Sequence, residues 1–221
     1  MAPLVILQGF GPFGTHEVNP SERLVRDLET TYDTARARIV GRVLTCSAEA
    51  MEEVPELLLH HRPDIYLGVG LAYGRTAVAV ERVAINLADY GIPDEAGLTL
   101  TERPIAPEGP VAYWSTLPLA VIREAWKRAD VPGYVSNTAG TFLCNHSFYV
   151  AAHTTATAGL ATRVGFIHVP ALVGQVRRGS EPALPYQVLR QALTVALDAI
   201  MSSPSLAQGA AESAEPLARE P

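Results

Sequence analysis

The chain has 221 residues, 48% of them hydrophobic, and a formal net charge of -6 with no run of lysines or arginines. That length can bury a full core in one α/β domain, and the acidic balance leaves no electrostatic footprint for nucleic acid or an anionic membrane surface. A small molecule or a peptide fits better as substrate. Only Cys46 and Cys144 are present, too few for a disulfide framework or a cysteine metal site, so a reduced cytoplasmic protein is expected. The opening MAPLVIL lacks the basic region of a secretory signal and reads directly as a strand; no apolar run is long enough to span a bilayer.

In chain order, Leu4-Val5-Ile6-Leu7 opens a strand at about residues 4–8. Asn19-Pro20-Ser21-Glu22 places a cap residue before a proline suited to the first helical turn, which starts a helix at about 20–31. A strand at about 38–45, a helix at about 47–61 and strands at about 64–69 and 76–87 follow. Residues 88–110 hold many Gly, Pro, Asp and Glu without a clear period, which predicts a surface excursion able to carry a hairpin and to cover a site. Then come a helix at about 117–129, a strand at about 134–136, a helix at about 144–158, a strand at about 163–168 and a helix at about 184–201. From Pro204 onward the chain is small, polar and punctuated by proline, which predicts a disordered tail behind a domain of residues 1–203. The alternation implies a buried, largely parallel sheet with helices on both faces.

The stretch GFGPFG, Gly9 to Gly14, satisfies the written dinucleotide pattern G-x-G-x-x-G. That fingerprint needs its last glycine inside the opening turn of a helix, where a pyrophosphate meets free N–H groups. Pro12 and Phe13 interrupt such a turn, and the helix start comes later, at Asn19. The second strand ends in Thr-Cys-Ser rather than in the acidic residue that holds a ribose hydroxyl. No nucleotide cofactor is therefore expected. Phe10 and Phe13 either wall a small apolar pocket or serve as core aromatics of a tight loop.

Cys144, within SNTAGTFLCNHSFYV, stands where a helix-period segment begins. A thiol in a first helical turn feels the positive dipole end, which favours thiolate, and the same N–H groups can hold an oxyanion. The alternative is a small core residue, which is also the reading for Cys46. Among the histidines, His146 and His153 fall on the far side of that helix, and His60 and His61 complement the end of another. His16 lies in the first loop and stays open. His168 closes the apolar strand RVGFIHVP at the carboxyl edge, where open α/β sheets place ligand sites. A catalytic imidazole needs an orienting partner. Glu81, which interrupts an apolar alternation, is one choice, unless it serves only an ion pair with Arg75 or Arg82. Asp89 and Asp94 are rivals.

Four blocks in order, GFGPFGTHEVNPS, ERVAINLADYGIPD, SNTAGTFLCNH and GFIHVP, resemble the pyroglutamyl peptidase I family of cytosolic cysteine peptidases, also called pyrrolidone-carboxylate peptidases. The resemblance implies a single α/β domain around a twisted, mostly parallel mixed sheet, assembled as a homotetramer. It implies removal of an N-terminal pyroglutamyl residue from peptides through a thioester, with no metal or cofactor. Cys144 then matches the nucleophile, His168 the base and Glu81 the orienting acid. Phe10 and Phe13 are similar to the aromatic wall around the lactam ring, and Asn19 to the amide that contacts it. Thr45, Leu71, Ile92, Phe142 and Leu143 are similar to other positions of that pocket. Two motifs depart. Relatives read GQAGGR where this chain has GLAYGR, so Leu71 replaces a glutamine, and ARIPD where this chain has YGIPD, so Gly91 cannot supply an arginine assigned to oxyanion support. Arg75 or the backbone N–H of Cys144 are the available substitutes. A cysteine amidase for another small cyclic or acyl substrate, or a catalytically idle binding protein, are the competing functions.

Overall fold

A computed structural model describes residues 2–176 and 181–203; the tail expected from Pro204 onward lies outside the described residues. In chain order the elements are β1 (Leu4–Phe10), α1 (Pro20–Thr31), β2 (Arg38–Leu44), α2 (Glu53–His61), β3 (Ile65–Leu71), β4 (Val78–Glu81), β5 (Val83–Ile85), β6 (Ala112–Trp114), α3 (Leu119–Arg128), β7 (Gly133–Ser136), α4 (Leu143–Thr157), β8 (Arg163–Val169), β9 (Ala171–Leu172), β10 (Ala183–Leu184) and α5 (Tyr186–Met201). Six strands form one sheet in the order β2-β1-β3-β8-β4-β7. All its neighbours run parallel except β4 against β8, so the sheet is mixed and mostly parallel, within a single α/β domain.

Period-two alternation sorts the strands' side chains between two cores. On β8, Ile167 and Val169 join α1, α3 and α5 in one cluster, whereas Val164 and Phe166 join α2 and α4 in the other. Helices thus cover both faces. α1 starts where the sequence signals it: Asn19 is extended, its side chain accepts the Ser21 N–H at 3.1 Å, and Pro20 opens the first turn. The Asn19 side chain also donates to the carbonyl of Gly11 at 2.9 Å. The glycine loop is therefore bound to the helix cap that a phosphate would have needed.

The single strand expected at 76–87 is two strands in different sheets. The main sheet ends at Glu81, opposite the last residue of β7, Ser136. Arg82 turns its side chain out to Asn137, and β5 then pairs antiparallel with β6. Apolar residues continue on both sides of Glu81-Arg82, so the sequence does not reveal the change of partner. That β5–β6 ribbon closes the base of the 88–110 excursion, which is tied within by the Ala88–Arg103 bridge and by Tyr90 N–H donating to the Leu100 carbonyl at 2.7 Å. The helix expected from residue 47 instead begins as a 3-10 turn over Glu49–Glu52 and becomes α-helical at Glu53. Among the described residues no helix is long and apolar enough to cross a membrane.

Candidate active site

His168 is the penultimate residue of β8 and shares a face with Phe166, the face that α4 covers. Across the antiparallel pair its partner is Ala79. Glu81 lies two residues further along β4, so the two side chains are diagonal neighbours on one face. Nδ1 of His168 and Oε1 of Glu81 are 2.7 Å apart. Glu81 is fully buried and His168 is 4% exposed. The same carboxylate oxygen accepts from Arg75 Nη1 at 2.8 Å, and Nη2 of Arg75 donates to the Thr138 carbonyl at 3.2 Å. The Glu81 carboxylate is thus shared between the Arg75 guanidinium and the His168 imidazole. Its rivals are occupied elsewhere, since Asp94 accepts the N–H groups of Ala48, Ala96 and Leu98, and Asp89 that of Glu102.

Burial acts on these groups in opposite senses. It would raise the Glu81 carboxyl, but the hydrogen bond and charge of His168, with Arg75 behind them, hold it below its ordinary value. Burial depresses His168 below 6.5, and Glu81 opposes that fall. With Nδ1 engaged by the Glu81 carboxylate, Nε2 is the ring nitrogen left to accept a proton.

Cys144 is the second residue of α4, behind an extended Phe142 that offers no side-chain cap; the first-turn amides lack intrahelical partners. The sulfur rests over Gly70, the parallel register partner of His168. A Cβ built on Gly70 would lie 2.6 Å from Sγ and 3.0 Å from Phe166 Cζ, so only glycine admits the thiol here. Paired residues project to the same face, which puts Sγ on the side of the sheet that carries His168 and Glu81. Burial pushes the Cys144 thiol up, with Cys46 and Glu81 adding and Arg75 opposing. That burial opposes the thiolate which the helix end favours, so a base to take the proton is part of the chemistry the site needs. Cys46 is likewise pushed up to about 12, mainly by burial.

Cys144 opens onto a cavity of about 490 Å³ walled by Phe10, Phe13, Leu71, Phe142 and Leu143, with Asn19 and Cys46 also on its lining. Phe13 and Phe142 pack at 5.3 Å between ring centroids. His168 and Glu81 are not on the wall. Among the described residues no group of three or more His, Cys, Asp or Glu side chains gathers to hold a metal ion.

Residues 4–203 match the model of a family described as pyroglutamyl peptidase. The chain belongs to the pyroglutamyl peptidase family. It is similar to the pyrrolidone-carboxylate peptidase of Pyrococcus furiosus, 38% identical over 88% of this chain and 96% of that protein. It is also similar to pyrrolidone-carboxylate peptidase 1 of Ralstonia nicotianae, 42% identical over 89% of this chain and 92% of that protein. The crystal structure of pyroglutamyl peptidase I from Bacillus amyloliquefaciens superimposes with a TM-score of 0.87 at 37% identity, covering 92% of this chain and 97% of that one.

As a pyroglutamyl peptidase family member, the chain brings together on its cavity every pocket residue read from the sequence except one. Thr45 is exposed and lines a separate cleft with Glu49, Glu52 and Glu53, because β2 ends at Leu44 and the chain turns so that Cys46, not Thr45, faces the cavity. Ile92 stands at the rim, 54% exposed. Gly91 is exposed with nothing near its Cβ position, and Arg75 gives two of its five N–H donors to Glu81 and Thr138. His16 and Tyr73 also line the cavity. His16 stayed open in the sequence, and Tyr73 was missed although it departs from the family motif. Tyr90, in the other departing motif, is buried, packs edge-on against Phe142 at 4.7 Å between centroids, and shares a 2.7 Å hydrogen bond with His146.

Proposed function

We propose that this chain is a cysteine exopeptidase that hydrolyses the amide bond after an N-terminal pyroglutamyl residue. The observation that carries the reading is the Glu81–His168 hydrogen bond on the sheet face where the Cys144 sulfur rests over Gly70. His168 Nε2 takes the Sγ proton as the sulfur attacks the pyroglutamyl carbonyl, and Glu81 stabilises the imidazolium that forms. The oxyanion sits at the uncapped start of α4, where the Cys144 N–H is the available donor. Collapse breaks the C–N bond, His168 returns the proton to the departing amine, and a thioester remains on Cys144. Water activated by His168 then releases pyroglutamate and restores the thiol.

The aromatic and aliphatic cavity suits an uncharged lactam, and a free N-terminal ammonium is rejected because its charge would be desolvated without a partner. Asn19 serves the lactam with the second N–H of its side-chain amide, since the first is given to Gly11. Comparing pyroglutamyl and prolyl amides tests the assignment: hydrolysis of the first alone is expected, and equal hydrolysis would favour a broader cysteine amidase. The open surroundings of Gly91 favour one competing reading, a catalytically impaired binding protein, and turnover of the pyroglutamyl amide excludes it. We further place the reaction in the cytoplasm, on the family resemblance and two unpaired cysteines, and in a homotetramer. The tetramer is supported by Val111 and Trp114, 87% and 71% exposed beside the excursion, and light scattering reads it directly.

A further inference from the structure

The cavity is graded from a closed inner end to an open rim. Phe10 and Leu143 are each 2% exposed, whereas Tyr73 is 42% and Ile92 54% exposed. A pyroglutamyl group needs the closed end, beside Cys144. The rest of the peptide must leave through the open one.

Two tight turns hold that exit. Phe13 and His16 exchange backbone hydrogen bonds of 3.3 and 3.0 Å across the first, which carries His16. The second runs from Ala72 to Arg75, closed by Arg75 N–H on the Ala72 carbonyl at 3.2 Å, with Gly74 at a φ of +84° that side-chain-bearing residues rarely adopt. Tyr73 occupies the first corner of that turn, and its ring meets the His16 ring at 4.8 Å between centroids, tilted 41°. Arg75, at the turn's end, is fixed to Glu81. The turn fixes the backbone beneath Tyr73, and its ring, with only two side-chain torsions to order, is a half-exposed aromatic surface at the exit.

Resting on the peptidase reading above, we propose that the His16–Tyr73 pair, with Ile92, forms the subsite for the residue after the scissile bond and selects an aromatic side chain there. The rings offer a stacking surface that a methyl group does not use. Tyr73 is a specificity residue, and it takes no part in the proton transfers.

The test compares pyroglutamyl-phenylalanine amide with pyroglutamyl-alanine amide in the native chain and in Tyr73→Ala, Tyr73→Phe and His16→Ala. The native chain is expected to prefer phenylalanine by about tenfold in kcat/KM, through KM. Tyr73→Ala should lower kcat/KM for the phenylalanine amide more than for the alanine amide and bring the two together. His16→Ala should narrow the gap, and Tyr73→Phe, which keeps the ring, should retain it. An unchanged or larger preference in Tyr73→Ala overturns the subsite while leaving the peptidase reading intact. Hydrolysis of neither amide by the native chain defeats both.

Discussion

Two histidines near the Cys144 segment, His146 half-buried and His168 buried, are separated by their partners. His146 follows Cys144 by two residues on α4 and shares its hydrogen bond with a neutral phenol, Tyr90. Burial alone acts on it and pushes it down to about 4. His168 is more fully buried on β8, and burial lowers it too, but Glu81 resists the fall. A desolvated imidazole thus becomes a useful base only where a carboxylate stabilises its protonated form. Proximity in sequence to the nucleophile counts for less than the chemistry of the third group. The first histidine is a tie between helix and excursion; the second is equipped to move a proton.

That contrast can be broken most severely at His168. His168→Gln should lower kcat/KM by up to about 10⁴-fold with the fold intact by circular dichroism, and residual activity near the native level would transfer the base elsewhere. Next is Glu81→Gln, for which a loss of about 10²-fold or more is expected. Its pH profile sharpens the comparison. Glu81 raises His168, so removing its charge lets the imidazole fall further, and the acid limb of kcat/KM should move to lower pH while the rate drops. An acid limb that moved upward would contradict the assigned role. Gly70→Ala should shift the sulfur away from its seat beside His168's strand partner and reduce kcat by about ten- to a hundredfold, with thermal unfolding reporting the overpacking. The smallest effect belongs to the other histidine. Tyr90→Phe should cost about 1 kcal/mol of stability by removing the partner of a half-buried nitrogen, with activity held within about threefold in the same assay; a loss as deep as that of Glu81→Gln would erase the distinction between the two sites.

Much of this was legible in the chain. Parallel strands buried on both faces write continuous apolar runs, so β1, β3 and β8 announce themselves, and the Asn19-Pro20 cap sets the start of α1 because it is a local device. Cys144, His168 and Glu81 could be chosen as types at particular edges, yet that they share one sheet face depends on the antiparallel pairing of β4 with β8, which no local pattern records. The division of residues 76–87 is hidden for the same reason: an apolar run with Glu81-Arg82 inside it does not say which strand lies beside each half. Thr45 was placed on the pocket by similarity, and one turn after β2 moved it to the next cleft. The helix end favours thiolate and is local, whereas the burial that opposes it comes from residues of distant segments and is not written in the chain.

The most direct trial of the central claim is to acid-quench the protein during turnover of a pyroglutamyl amide and locate the acyl group by mass spectrometry of its peptides. A pyroglutamyl thioester on the peptide containing Cys144, absent in Cys144→Ser, is the predicted result. Acylation of Cys46 in its place, or undiminished turnover by Cys144→Ser, would contradict it.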